Sequence, residues 1–437
     1  MKRTPPILTR RQFLRRGAIV GALTWTIPVF LDRTMATLQA AALDAVVSPA
    51  TGRDGRILVL LQLAGGNDGL NAVAPVGDDD YHRARPTLGI ADSAALRLGE
   101  RAGLHPDLVG LKALWDDGHL GVVQAVGYPN PNRSHFRSTD IWQTASDANR
   151  SATTGWVGRF FDSCCAGAPA SVGLGLGGQM PLAFAAKSPK GVIVENTGNR
   201  ARKASVGDGP EVAMDEPPAS EGESEGAGGS IGMLAGELPP SGGSPLDFVR
   251  RTELDARVSR EQIAEIAAKA KGQGSYPATR LGQELAFVAR LIAGGMVTRV
   301  YYVSQGGYDT HTNQKGAHER LLRELGDALR AFAADLKAQG NFDRVLLMTF
   351  SEFGRRVKEN GSGGTDHGAG APLFALGGGV KAGLHGEMPS LAAEHLDRGD
   401  VAFRTDFRSV YATVLEKHLG VPSSPILGRA FPLLGLL

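Results

Sequence analysis

Cysteine is almost missing from this chain. There are two in 437 residues, Cys164 and Cys165, and they are neighbours. Adjacent Cα atoms lie about 3.8 Å apart, shorter than an ordinary disulfide span. Free thiols are therefore expected, with no disulfide framework and no zinc site built on cysteine. Excess charge is missing too: 47 basic residues meet 45 acidic ones, for a formal net charge of +2. That balance gives no electrostatic case for a nucleic-acid or acidic-membrane partner. No apolar run is long enough to span a bilayer. The longest early one, residues 17–31, holds 15 residues and contains Pro28, whereas a spanning helix needs about 20. Nucleotide fingerprints are absent as well. Gly65-Gly66-Asn67-Asp68-Gly69-Leu70-Asn71 is glycine-rich, but it has neither the Gly-Lys-Ser/Thr ending of a P-loop nor the G-x-G-x-x-G spacing of a dinucleotide site.

What is present begins with an address. Thr9-Arg10-Arg11-Gln12-Phe13-Leu14-Arg15 follows the twin-arginine export pattern, and Ala40-Ala41-Ala42 offers a cleavage site after the apolar run. Residues 1–42 therefore read as a signal peptide and residues 43–55 as a linker. The translocase of that pathway is the expected export partner, and a periplasmic or secreted location in a bacterium follows. Residues 56–437 read as one α/β domain, with hydrophobic residues at 42% supplying its core. One stretch interrupts it. Residues 203–245 are rich in Gly, Pro and Ser and carry eight acids between Asp208 and Glu237 with no Lys or Arg among them. Such a segment buries too little apolar surface to offset its ordering entropy, so a loosely ordered insertion is expected.

Short apolar runs predict strands at 56–63, 121–127, 182–185, 192–194, 299–304, 344–350 and 372–376. Helical spacing predicts helices at 106–115, 136–144, 157–163, 246–270, 279–293, 313–337 and 407–419, the last stopped by Gly420 and Pro422. Strands alternating with helices make a mostly parallel sheet sandwiched by helices the economical fold.

Acidic and histidine clusters follow three of these strands. Asp68 follows the first, Asp309 and His311 follow 299–304, and Glu352, Asp366 and His367 follow 344–350. Ligands of open α/β sheets bind beyond the carboxyl ends of the strands. Carboxylate oxygen mixed with imidazole nitrogen suits zinc or manganese better than calcium, so one or two such ions are expected there. Glu352 is a ligand or a support for one. Arg355 either balances an anionic substrate or pairs with Glu352. His318 either reaches back to the site or lies on the surface. Ser134, at a helix start, is either a nucleophile activated by a nearby cation or a helix cap. A serine triad of Ser134, His135 and Asp140 is the third reading, strained by their closeness along one helix start.

Six motifs in order carry a resemblance: Leu63 to Asn71, Arg133-Ser134-His135-Phe136, Gly306 to His311, Ser351 to Arg355, Thr365 to Gly368, and Thr405 to Tyr411. Together they resemble the twin-arginine-exported bacterial family catalogued as domain of unknown function 1501, over nearly the whole mature chain. That family in turn is similar to the alkaline phosphatase superfamily, which includes sulfatases. The resemblance implies an alkaline-phosphatase-like α/β fold with a two-metal site at the strand ends. Asp68, Ser134, Asp366 and His367 would hold one ion, and Asp309 and His311 the other. It implies a metal-dependent hydrolase of phosphate or sulfate esters with Ser134 activated, an anionic small-molecule substrate, and Asn67, Arg133 or Arg355 on the equatorial oxygens. The superfamily's last histidine has two candidates, His385 and His395. The sulfatase nucleophile pattern, Cys or Ser followed by x-Pro-x-Arg, is absent, which disfavours an arylsulfatase. The alternative is an exported binding or assembly protein that keeps the fold without catalysis.

Overall fold

The computed structural model describes residues 55–188, 190–194, 261, 263–270, 272 and 274–437. The expected signal peptide, nearly all of the linker, the acidic insertion and most of the helix expected at 246–270 lie outside them.

Twelve strands are present among the described residues: β1 Ile57–Ala64, β2 Val73–Pro75, β3 Leu96–Arg97, β4 Ala102–Leu104, β5 Leu120–Gly127, β6 Gly173–Leu176, β7 Val192–Val194, β8 Val300–Gly306, β9 Val345–Phe350, β10 Ala371–Gly377, β11 Gly383–His385 and β12 Thr405–Asp406. The α-helices are α1 Gly69–Ala72, α2 Asp79–Ala84, α3 Val109–Asp116, α4 His135–Thr144, α5 Trp156–Cys164, α6 Arg280–Ala293, α7 Gln314–Ala338, α8 Phe407–Thr413 and α9 Ser424–Leu427. The main sheet runs β11-β5-β10-β9-β1-β8-β6-β7, with β12 added on β5. Only β10 runs antiparallel to its two neighbours. The expected α/β class, a mostly parallel sheet between helices, is what the chain adopts.

β1 shows why. Its residues alternate between two cores: Ile57, Val59, Leu61 and Leu63 pack on one face, Leu58 and Leu60 on the other. A parallel strand covered on both faces needs this unbroken apolar run. α7 closes the first face with Leu321, Leu322, Leu325, Leu329, Phe332 and Leu336, all nearly inaccessible, on the stripe that the 3.6-residue period predicts. Trp142 of α4, Trp156 of α5 and Tyr411 of α8 pack on the second face, Tyr411 stacked on Trp156 and edge-on to Trp142.

Three expectations change. Residues 182–185 are not a strand but a 3-10 turn, Leu182–Phe184, closed by Phe184 N–H to Pro181 C=O at 2.9 Å. Pro181 fixes its own φ and has no N–H for a ladder. The closing helix runs only to Thr413 and continues as a π-helical turn, Val414–His418. The cysteines are not free: Cys164 and Cys165 are joined as a vicinal disulfide. Cys165 caps α5 outside helical geometry, at φ −123° and ψ 34°.

β1, β8 and β9 lie side by side and parallel, with Ala64 level with Gly306 and Gln62 level with Phe350. Their carboxyl ends thus open on one edge, and the three loops that carry the acidic and histidine clusters meet there.

Candidate metal centre

Arg355 ties these loops together. It is 1% exposed. Its guanidinium donates to the carbonyls of Gly66 (2.6 Å), Thr365 (2.7 Å), Tyr308 (2.9 Å) and Gly65, and to Asp309 Oδ1 at 2.7 Å. Arg355 pairs with Asp309, not with Glu352, and it spends its donors on the protein. These bonds join the loops after β1, β8 and β9. The β1 loop can take this path because Gly65 and Gly66 sit at φ +120° and +76°. A Cβ at Gly66 would stand 2.3 Å from the Phe353 ring.

On that frame three imidazoles converge on Asp309. His311 Nε2 and His367 Nε2 each lie 3.1 Å from Asp309 Oδ1, and His135 Nε2 lies 3.4 Å from Oδ2. In every case the other ring nitrogen is held from behind. His367 Nδ1 meets the Arg133 carbonyl at 2.8 Å, His135 Nδ1 meets Glu352 Oε1 at 3.0 Å, and His311 Nδ1 meets Asp366 Oδ1 at 3.2 Å. A carbonyl or carboxylate only accepts, so each Nδ1 is the donor. The three Nε2 atoms thus face inward, toward Asp309. His311 Nε2 and His367 Nε2 face each other at 2.9 Å. His135 Nε2 is buried with no hydrogen-bond partner. Such a cluster asks for a cation. The back-bonded imidazoles are also how histidine ligands are oriented and made more basic.

The charges agree. Burial raises the Asp309 carboxyl, but the bonds from Arg355 and His367 outweigh it and hold the group at about 2. Burial pushes His367 below the ordinary imidazole value despite Asp309, keeping it neutral. The Asn360 amide, then His311, hold Asp366 low. Residues present therefore fit a divalent ion: His135, Asp309 and His367 bring ligand atoms within 4.8 Å of one another, His311 stands beside them, and imidazole nitrogen with carboxylate oxygen is a donor set that zinc takes.

Other expected site residues are placed differently. Asp68 is fully buried and salt-bridged to Arg85 at 2.6 Å, with Gln314 donating to the same oxygen. Burial raises its carboxyl, yet Arg85 wins and it stays low. It braces the β1 loop from beneath and is not grouped with the three imidazoles. Glu352 stands behind His135, accepting also from Gly65 N–H at 2.8 Å, while its Oε2 is buried and unpartnered. Asp366 stands behind His311. Asn67 is buried, with its Oδ1 on His318 Nε2 at 2.9 Å. His318 is itself buried, not superficial, because α7 turns it under the β1 loop. Arg133 places its guanidinium on Asp400. His385 bonds the Lys381 carbonyl and His395 bonds Ser390. The serine triad does not form, because His135 faces Glu352 and Asp309 while Asp140 is exposed on α4.

Ser134 occupies the N-cap position of α4 and makes no side-chain cap bond. Its own N–H is taken by Asn132 Oδ1 at 2.8 Å. Ser134 is exposed, between Arg133, whose carbonyl holds His367, and His135. A second trio, His105, Asp107 and Glu319, also brings possible metal-binding atoms together, but Arg323 already pairs with its Asp107 at 2.5 Å.

Residues 250–427 match the family model described as a protein of unknown function (DUF1501). It is the family that the sequence motifs resemble. The matched span holds Asp309, His311, Glu352, Asp366 and His367, while Ser134 and His135 lie outside it. No curated protein matches the chain. Solved structures similar to it include the PsFucS1 sulfatase from Pseudoalteromonas sp., at 10% identity and TM-score 0.34, covering 88% of this chain and 73% of that one. A protein in the alkaline phosphatase superfamily from Vibrio parahaemolyticus shows 10% identity and TM-score 0.36, covering 86% and 69%. An alkaline phosphatase from the Antarctic bacterium TAB5 shows 10% and 0.33, covering 75% and 94%. None of these likenesses fixes a reaction for this chain.

Proposed function

We propose that the chain is a metal-dependent hydrolase of phosphate or sulfate esters, with one divalent ion, zinc, held by His135, Asp309, His311 and His367. The observation that carries this is the set of imidazole Nε2 atoms turned inward around Asp309, each ring fixed from behind. Such an ion would polarise an ester oxygen and lower the pKa of a bound hydroxyl. The protein's own groups do the rest. Glu352, Asp366 and the Arg133 carbonyl keep the rings in register. Ser134, which makes no cap bond and adjoins His135 in sequence, would supply its hydroxyl oxygen as the nucleophile. The first turn of α4 directs N–H groups that lack intrahelical partners, and the positive end of its dipole, toward the same mouth, which favours an anionic ester. Loop closure by Arg355 holds these parts in fixed relation.

Export by the twin-arginine route to a periplasmic or secreted location belongs to this proposal and rests on residues 9–15 alone. Among the described residues no helix is long and apolar enough to cross a membrane.

The test is Ser134→Ala in zinc-loaded protein with aryl phosphate and aryl sulfate substrates. Turnover should fall at least about 100-fold, the scale on which an essential nucleophile acts, while zinc content stays unchanged. Metal-bound protein with no turnover of any ester would instead favour the binding or assembly protein.

A further inference from the structure

Asp400 is a fully buried carboxylate. Its Oδ2 accepts from Nε and Nη2 of Arg133, its Oδ1 has no hydrogen-bond partner, and Arg356 Nε stands 3.8 Å from that Oδ1. A buried carboxylate is costly unless opposite charge stands against it, which explains why two guanidiniums are drawn to one acid. They are not consumed by it. The Arg133 and Arg356 side chains are 32% and 41% exposed. Among the described residues, Arg133 Nη1 and both Nη atoms of Arg356 meet no acceptor. Two positive charges face one negative charge, so the patch keeps a net positive charge with donors turned to solvent.

Both arginines are fixed to the backbone that carries the metal ligands. The Arg133 carbonyl holds His367, and the Arg356 N–H bonds the Asp366 carbonyl at 2.9 Å. The patch is nevertheless set off from the centre. Arg355 and His367 pair across a β-bridge, and Arg355 points to Asp309. Successive residues of an extended segment project to opposite faces, so Arg356 leaves on the other side, toward Asp400. The Val401 carbonyl accepts from Gly370 N–H at 3.0 Å, which anchors the Asp400 loop against the loop of His367.

We propose that Arg133 and Arg356, held on Asp400, form an anion subsite beside the metal centre, so that the substrate carries a second anionic group besides the ester that reacts. The planar forks suit a carboxylate, sulfate or phosphate oxygen pair. The substrate class is thus a polyanionic ester, and a simple monoester lacks half of its recognition. This rests on the hydrolase reading for the identity of the reacting group.

The experiment compares phenyl phosphate with 4-carboxyphenyl phosphate by calorimetric titration of zinc-loaded protein. The carboxylated ester should bind about tenfold more tightly or better, a difference of about 1.4 kcal/mol. Arg356→Gln should bring the ratio close to one, with zinc content and melting temperature confirming that the variant is folded and loaded. A ratio near one in the wild type, or an unchanged ratio in Arg356→Gln, overturns the subsite. Hydrolysis of phenyl phosphate and its loss in Ser134→Ala report on the hydrolase reading separately. An Arg356-dependent preference without turnover would remove that reading and leave the subsite standing.

Discussion

Replacing Glu352 by Gln separates the metal centre from the fold more cleanly than removing a ligand does. Glu352 is 2% exposed, and its Oε1 accepts from Gly65 N–H and from His135 Nδ1. A glutamine oxygen keeps both bonds, so the β1 loop and the His135 ring hold their places. What disappears is the negative charge behind the imidazole. Partners of that kind are worth about 10- to 100-fold in metal affinity, or about 1.4–2.8 kcal/mol. The zinc-dependent gain in folding stability should shrink by the same amount at saturating metal. Stability of the metal-free protein should change by less than about 1 kcal/mol, because the new amide replaces an Oε2 that was already buried and unpartnered. Competition against a chromophoric chelator reads the affinity, and urea unfolding of the metal-free form reads the stability. Equal zinc affinity in wild type and variant would refute the claim that Glu352 supports His135 as a ligand.

Three further outcomes follow from the same frame. Arg355→Lys strips the fork from four carbonyls and Asp309, and should cost at least about 3 kcal/mol in metal-free unfolding; a loss under about 1 kcal/mol would mean the loops hold without it. Gly66→Ala puts a side chain at φ +76° against Phe353 and should destabilise by about 1–3 kcal/mol, with zinc affinity falling alongside; a neutral result would show that the loop relaxes freely. His318 is kept neutral by burial, its imidazole pushed down to about 4 against an ordinary 6.5. As pH falls below 6.5 the unfolded chain takes up a proton that the folded one refuses. Stability should therefore drop by about 3 kcal/mol between pH 6.5 and 4, and His318→Gln should flatten that slope.

The sheet was largely legible because its strands are buried on both faces. A run such as Ile57 to Leu63 admits few other fates, and the leucine stripe of α7 is equally plain. The loop positions of Asp309, His311 and His367 were legible for a related reason: polar residues directly after buried strands must gather at the sheet's carboxyl edge. Three things were not. Asp68 looks like a ligand by position, and only the arrival of Arg85, just past the end of α2, turns it into a buried ion pair. Arg355 reads as a substrate-binding cation until the carbonyls of three distant loops close on it. His135 was hidden beside Ser134. Its motif drew notice to the hydroxyl, and nothing local shows that the first turn of α4 aims the imidazole at Asp309, 174 residues away by numbering. The 182–185 run failed for a local reason, since a proline before a short apolar stretch suits a turn as well as a strand.

The most direct measurement is metal per chain, by elemental analysis of mature protein purified from its host without chelators, set beside His135→Ala and His367→Ala. One zinc ion per wild-type chain and less than about a tenth of that in both variants is the predicted result. Wild-type protein without stoichiometric metal, or variants that keep it, would contradict the centre built on Asp309 and its three imidazoles.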